Sequence, residues 1–320
     1  MQYSTFAAID IGSYDVILEI FEISKKQGIR SVDKICHRME LGKDTYTLGK
    51  IRPEMEEELC RVLADFVRIM EGYRVDDYRA AASSAISEAS NSLYVLGKIH
   101  QLTGLSVTVL SNSEQRFLSY KALAAMEDNF NKIIEKGTAI LDLDGGSFQI
   151  SLFDKDALVT TQNIRMGSLR IRERLAGIQS ETEHYEEMVE ELIWNEVSSF
   201  KKMYLKDRKI ENIMLIGDVF TDSVYQNIEE KTTKIISREN FNTWYEKIIR
   251  QSPMELAVKL GIPLENASLM YPSAVIYKCL IDMMGAEHIW IPGVHMTRGI
   301  AYEYAEQMKL LKGGHNFEND

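Results

Sequence analysis

The sequence predicts an α/β protein of two domains, each a mixed sheet flanked by helices, and three observations carry that expectation. Residues 139–153, Ala-Ile-Leu-Asp-Leu-Asp-Gly-Gly-Ser-Phe-Gln-Ile-Ser-Leu-Phe, read as an apolar strand, a tight turn around Gly145 and Gly146, and an alternating strand with Phe148, Ile150 and Leu152 on one face. The same design stands near the N-terminus, where residues 6–13 lead through Asp10, Gly12 and Ser13 into a strand carrying Val16, Leu18 and Ile20. Two hairpins of one design suggest a duplicated domain. The third observation is the order in each half: three strands, helix, strand, helix, strand, which fits a mixed sheet with helices on its faces.

The elements follow in turn. Residues 29–41 suit a half-exposed third strand, given Lys34, His37 and Arg38. Pro53 opens a helix whose Met55, Leu59, Val62, Leu63, Phe66, Val67 and Met70 share one face, and Gly72 is expected to close it. Residues 78–85 lead through Ser83 and Ser84 into a helix carrying Ala89, Leu93, Leu96 and Ile99, stopped near Gly104. After a strand at 105–110, Ser111 starts a helix expected to cross to the second domain. In that domain a strand at 157–164 precedes a helix entered at 166–170, and a long helix at about 180–206 opens on a capping box of Ser180 and Glu183. A strand at 212–216 ends at Gly217-Asp218. Further helices are expected from Ser252-Pro253-Met254-Glu255, over 267–284 despite Pro272, and over 297–311, with a strand at 289–291 between the last two. The boundaries expected are 1–125, rejoined by 297–312, against 126–296, with 313–320 frayed; hinges are expected near 114–137 and Gly293.

Composition excludes several classes. A chain of 320 residues that is 45% hydrophobic can bury two cores, while its net charge of −11 disfavours a general nucleic-acid binder. The apolar runs are too short and interrupted for a membrane span, and the N-terminus enters a strand directly, so a cytoplasmic protein without membrane partner is expected. Cys36, Cys60 and Cys279 are widely spaced, indicate neither a disulfide framework nor zinc, and are expected to be buried. Trp194, Trp244 and Trp290 are expected in the core.

Several segments together resemble the exopolyphosphatase/guanosine pentaphosphate phosphohydrolase (Ppx/GppA) family. Ala-Ile-Asp-Ile-Gly-Ser at 8–13 and Asp-Leu-Asp-Gly-Gly-Ser at 142–147 are similar to its two phosphate-binding hairpins. Ala-Ser-Ser-Ala-Ile-Ser-Glu-Ala-Ser-Asn at 82–91 is similar to its Ala-Thr-Ser-Ala-Leu-Arg-Glu-Ala-x-Asn segment, and Ser-Asn-Ser-Glu-Gln-Arg-Phe-Leu-Ser-Tyr at 111–120 to its helix start Ser-Gly-x-Glu-Glu-Ala-x-Leu-x-Tyr. Met166-Gly167-Ser168-Leu169-Arg170, Pro272 and Gly299 also fall in register. The resemblance spans essentially the whole chain in the family's short form. It implies two ribonuclease-H-like domains of the actin-like, acetate and sugar kinase superfamily with a cleft between them.

That resemblance assigns roles. Gly12, Ser13, Gly145, Gly146 and Ser147 would hold phosphate, where glycine backbones allow close approach and N–H groups point inward. Glu114 would be the base on the attacking water, although Ser111-x-x-Glu114 is equally a capping box. Asp10, Asp142, Asp144 and Gln149 would hold Mg²⁺, the alternative for the first two being turn formation. Gly12, Gly145 and Gly146 are otherwise plain hairpin glycines, and Ser13 and Ser147 plain turn caps. Arg165, Arg170, Arg172 and Arg174 either guide an anion or form a solvated face. Members often dimerise, and Met283-Met284 is read as apolar surface for a homodimer.

The chain also departs from the family pattern. Tyr14 and Asp15 replace Asn and Ser, Ser87 replaces the arginine, Asp144 a glycine, Gln149 the metal-side glutamate, and Asp218 a glycine. A carboxylate about 4 Å from a phosphate charge at a near-surface dielectric costs roughly 4 kcal/mol. Asp144 has the alternative of replacing the metal charge lost at Gln149. The leading expectation is a Mg²⁺-dependent hydrolase of polyphosphate or guanosine pentaphosphate. Its rival is a catalytically impaired member that binds a nucleotide, polyphosphate or protein, and a kinase of the same superfamily is weaker, lacking glycine-rich adenosine loops.

Overall fold

The computed structural model describes residues 3–126, 130–176, 185–206, 208–217, 219–227 and 235–310. They form two compact units, one from the described parts of 1–125 and 295–320, the other from those of 126–294. In the first unit β1 (Ser4–Ile11), β2 (Asp15–Ser24) and β3 (Gly28–Arg38) are followed by α1 (Leu41–Leu48), α2 (Pro53–Tyr73), β4 (Asp77–Ala82), α3 (Ser84–Ser87), α4 (Ser92–Thr103), β5 (Val107–Val109) and α5 (Asn112–Met126). The sheet order is β3-β2-β1-β4-β5, with β2 antiparallel to its neighbours and the other pairs parallel. This is the ribonuclease-H-like arrangement.

The second unit comprises α6 (Phe130–Ile134), β6 (Thr138–Leu143), β7 (Phe148–Asp154), β8 (Ala157–Ile164), α7 (Ser168–Leu175), α8 (Tyr185–Phe200), β9 (Asn212–Ile216), α9 (Val219–Asn227), β10 (Ile235–Ser237), α10 (Arg238–Ile249), α11 (Pro253–Leu260), α12 (Leu264–Met284) and β11 (His288–Trp290). The chain then returns to the first unit as α13 (Met296–Gln307). The second sheet runs β8-β7-β6-β9-β11-β10, which repeats the first order and adds the antiparallel β10 at its edge. Both units are therefore mixed sheets flanked by helices.

Burial explains the strand compositions. β1 is apolar at successive positions because Ala7, Ile9 and Ile11 pack with Leu59, Leu63 and Phe66 of α2 and Val95 and Ile99 of α4, while Phe6 and Ala8 meet Leu118 of α5 and Ile300 and Tyr304 of α13. The Phe6 and Tyr304 rings stack at 4.0 Å. In the second unit most of α12 is buried, through Leu269, Ala274, Ile276, Tyr277, Leu280 and others, so its sequence is mainly apolar, with Lys278 and Asp282 paired on its outer side. Pro272 lies within it.

Several expectations change. α2 continues through Gly72 and stops at Arg74, which takes a left-handed φ of 53°. Leu93 of α4 is exposed, Val95 joins the expected Ile99 in the packing, and Ala89 lies between α3 and α4. The third strand ends at Arg38 and α1 follows; its buried residues are Leu41, Gly42, Asp44 and Thr45, too polar and small to signal a helix by apolar period. Trp194 is partly exposed and Trp244 and Trp290 are half-buried, so none is a core residue. Met283 and Met284 are buried and offer no dimer surface. Cys36 is exposed, on a strand whose burial alternates, and its thiol is pushed up to about 12 by desolvation and then by Asp15. The Ser180–Glu183 capping box, Asp218 and the 313–320 tail lie outside the described residues.

Gly299 has a packing reason: a Cβ there would stand 2.3 Å from the Leu118 carbonyl oxygen, so α13 and α5 approach at a glycine. Gly299→Ala is expected to cost about 2 kcal/mol or more, read as a lowered unfolding midpoint. A second expectation concerns acid. Burial, reinforced by Lys34, lowers His295 from 6.5 to about 4, with Glu19 opposing and Arg298 adding to the effect. The unfolded chain then binds the proton first, so stability present above pH 6.5 falls as pH drops toward 4. His295→Gln should flatten that part of the thermal-midpoint profile.

Candidate functional site

The two hairpin turns share one geometry. The Gly12 N–H donates to the Asp15 carbonyl at 2.9 Å, and the Asp144 N–H to the Ser147 carbonyl at 2.9 Å. Each bond starts two residues after the strand carboxylate, Asp10 or Asp142. No residue of either turn has a positive φ, so Asp144 stands where a glycine was expected without backbone strain.

The following element captures the turn carbonyls in each unit. In the first, Met39 and Gly42 donate their N–H groups to the Tyr14 and Ser13 carbonyls at 3.1 and 2.7 Å. In the second, the Ser168 and Arg170 N–H groups bond the Asp144 and Gly145 carbonyls at 3.2 and 2.9 Å, and Arg170 Nε bonds the Gly146 carbonyl at 2.8 Å. Acceptors that would repel an anion are thus occupied by their own unit. Gly167 permits this approach, since a Cβ there would lie 2.2 Å from the Asp144 carbonyl oxygen. Arg172 is also engaged, bonding Glu173 and Ser268, so the expected solvated arginine face is confined to the exposed Arg165 and Arg174.

Asp15 does not stand as an isolated negative charge. It pairs with its cross-strand neighbour Arg38 at 2.7 Å, and the guanidinium also lies 5.9 Å from the centre of the Tyr14 ring. One arginine therefore serves both replaced positions of the first turn. Asp144 is likewise occupied, its Oδ1 accepting the Gly145 N–H at 2.6 Å. Ser87 is exposed and bonds back to the Ser84 carbonyl at 3.5 Å. Ser13 is fully buried, with its hydroxyl between Tyr46 and Ser84.

Asp142 and Gln149 are directly opposite on β6 and β7, and Asn163 on β8 is opposite Gln149, so the three share one face. Asn163 Oδ1 is buried and finds no hydrogen-bond partner among the described residues. The Asp142 carboxylate rests against Gly217, whose φ is +91° and where a Cβ would fall 2.5 Å from Oδ1. Among the described residues, no three His, Cys, Asp or Glu side chains group as a metal cage. A hard cation held by one carboxylate and one amide oxygen, with water and phosphate completing its shell, suits the Asp142–Gln149 pair.

Glu114 is exposed at the start of α5. Its Oε2 accepts the Ser111 N–H and Oγ–H, both at 2.7 Å, and its own N–H donates to Ser111 Oγ at 3.3 Å. The capping box is therefore formed in full, and the side-chain bond, then the backbone bond, lowers the carboxyl pKa. Glu114 also borders a cavity of about 550 Å³ within the first unit, lined by Arg79, Phe117, Ile300 and Glu303 among others. The Arg79 guanidinium there is tied to Glu303 at 2.9 Å.

Residues 19–308 match the model of the Ppx/GppA phosphatase family. The chain belongs to that family. This Ppx/GppA chain is 21% identical over 310 residues to the bifunctional 3-dehydroquinate synthase/phosphatase of Fusobacterium nucleatum, a match taking in 88% of this chain and 44% of the relative. It is 25% identical over 144 residues to exopolyphosphatase 1 of Mycobacterium leprae, covering 45% and 41% of the two chains. It thus spans less than half the length of these curated relatives. An exopolyphosphatase structure from Cytophaga hutchinsonii superposes with a TM-score of 0.83 at 17% identity, over 97% of this chain and 100% of that one. The Aquifex aeolicus Ppx/GppA family member gives 0.76 at 18%, over 96% and 99%. These structural likenesses concern the fold.

Sequence reasoning on this Ppx/GppA chain passed over Arg38 as a turn neutraliser, Tyr46 and Ser84 behind Ser13, and Asn163 beside Gln149. Only Ser84 lay in a family segment. The others are made neighbours by strand pairing or by α1. Gly217→Ala is expected to displace the Asp142 carboxylate and to cost about 1–2 kcal/mol from backbone handedness alone; thermal unfolding together with phosphate titration would read both effects.

Proposed function

We propose that the protein hydrolyses a terminal phosphoanhydride bond, releasing phosphate from inorganic polyphosphate or guanosine pentaphosphate. The observation that carries this reading is the turn built twice with one hydrogen-bond pattern, each beside a strand carboxylate and each with its carbonyls bonded away. In this reading the turn at Gly12 and Ser13 and the turn at Gly145, Gly146 and Ser147 bind phosphoryl oxygens. Phosphoryl transfer depends mainly on positioning and charge stabilisation, which such turns supply.

Glu114 acts as the base. Held by Ser111 through Oε2, it takes a proton from water as the water oxygen bonds to the terminal phosphorus; the bond to the bridging oxygen breaks, and the shortened polyphosphate leaves with that electron pair. Asp142 and Gln149 would hold Mg²⁺, with Asp10 and Asp144 as the other proposed oxygens of the two turns. When bound, the ion neutralises charge on the phosphoryl oxygens. Three free thiols suit a reducing compartment, so the cytoplasm is the compartment we assign. No described helix is long and apolar enough to cross a membrane. Homodimerisation belongs to the same proposal.

The binding-only alternative keeps the same turns and leaves Glu114 as a helix cap alone. The two readings separate on phosphate release from long-chain polyphosphate and guanosine pentaphosphate with Mg²⁺. Hydrolysis predicts that Glu114→Gln lowers turnover by about 10²–10⁴ while the protein stays folded; no release by the wild type, or equal release by the variant, overturns it. A further expectation concerns pH. Because Ser111 lowers the Glu114 pKa, the base stays ionised into acid, and Ser111→Ala should move the acid limb of kcat/KM upward.

A further inference from the structure

On the second sheet one row of polar side chains crosses three strands. Asp142 of β6 is paired with Gln149 of β7, and Gln149 with Asn163 of β8, so Gln149 stands between the other two on one face. The next rung of β7 and β8 on that face, Ser151 with Thr161, is closed by a hydroxyl–hydroxyl bond of 3.1 Å. The rung of Gln149 and Asn163 is left open: Asn163 Oδ1 is buried and has no hydrogen-bond partner among the described residues. A buried acceptor without a donor is destabilising and calls for a reason.

The reason lies in the chemistry of a carboxamide. Its oxygen and its NH₂ group diverge from one carbon, so an oxygen directed to one neighbouring strand leaves the N–H groups directed to the other. Gln149 has a carboxylate on its β6 side and an open acceptor on its β8 side. An oxygen beside Asp142 therefore leaves an N–H for Asn163. A glutamate at 149, as in the family pattern, has no proton to give to that acceptor. Gln149 is 7% exposed, so water competes little for either end of its amide.

We propose that Asn163 is a positioning residue of the cation site: its Oδ1 accepts an N–H of Gln149 and so holds Gln149 Oε1 beside Asp142, where the two oxygens would bind Mg²⁺. The inference rests on the metal-binding reading above and deepens it. It gives one cause to two observations, the glutamine that stands in place of a glutamate and the open acceptor on the next strand. Charge is given up at 149 and orientation is gained.

The test is titration with Mn²⁺ as a surrogate for Mg²⁺, the free ion being followed by its electron paramagnetic resonance signal, in the wild type, Asn163→Leu, Gln149→Glu and the double variant. One lost hydrogen bond predicts Mn²⁺ binding about 5- to 10-fold weaker in Asn163→Leu. With glutamate at 149 the same change should weaken binding by less than about 2-fold, because no N–H is left to orient, and a merely structural role would not show this dependence. The unfolding midpoint of Asn163→Leu without metal should be kept or raised, since an apolar side chain replaces an unpartnered polar one. Asn163→Ala decides the matter if the leucine variant does not fold. Equal loss in both backgrounds, or no loss in either, overturns the role of Asn163 alone. Absence of Mn²⁺ binding by the wild type overturns it together with the metal site it rests on, whereas the hydrolase reading itself stands or falls on the phosphate-release assay above.

Discussion

The constraint on which the rest depends is the turn hydrogen bond from a backbone N–H to the carbonyl three residues on, made once by Gly12 and once by Asp144. It closes each hairpin just beyond the strand aspartate and turns the intervening carbonyls toward the next element. α1 and α7 are placed by accepting that arrangement. In the second unit the fit is so close that only glycine is admissible at 167, because any Cβ would enter the turn backbone. The alternation of Asp10 or Asp142 with buried strand neighbours then follows from the pleat.

Charge is balanced locally around these turns. A chain carrying −11 overall gains an anion site only where its own carboxylates are neutralised or occupied. Arg38 does this for Asp15, and the Gly145 N–H uses an oxygen of Asp144. The departures from the family pattern that suggest repulsion are, in two cases, turn-forming or paired groups. Gln149 is different in kind: it keeps an oxygen beside Asp142 while removing a formal charge, so a cation bound there would rely more on phosphate oxygens for its neutralisation.

The cap at Glu114 does not conflict with the proposed role of the same group as base. A capping box needs only one carboxylate oxygen, and the other is free of that geometry. The cap fixes the side chain at the start of α5 and keeps it ionised. Rigid placement is also what a base requires. The capping pattern read in the sequence is therefore a structural fact here, and its catalytic use is a separate proposition about the same atoms.

The sequence by itself determined the two hairpins and the succession of strands and helices in each half, because these are written in local period and turn chemistry, while the candidate carboxylates and the glycine register came from resemblance to a family. It left α1 hidden, since that helix buries Gly42, Asp44 and Thr45 rather than an apolar stripe. It also left unseen the neighbours of each candidate. Arg38 reaches Asp15 across a strand pair, Asn163 reaches the Asp142 row through a third strand, and Tyr46 meets Ser13 and Ser84 from positions 33 and 38 residues away. Only the tertiary structure decided these, because a side chain's partner across a sheet or a helix packing is set by register and burial, which no local pattern encodes.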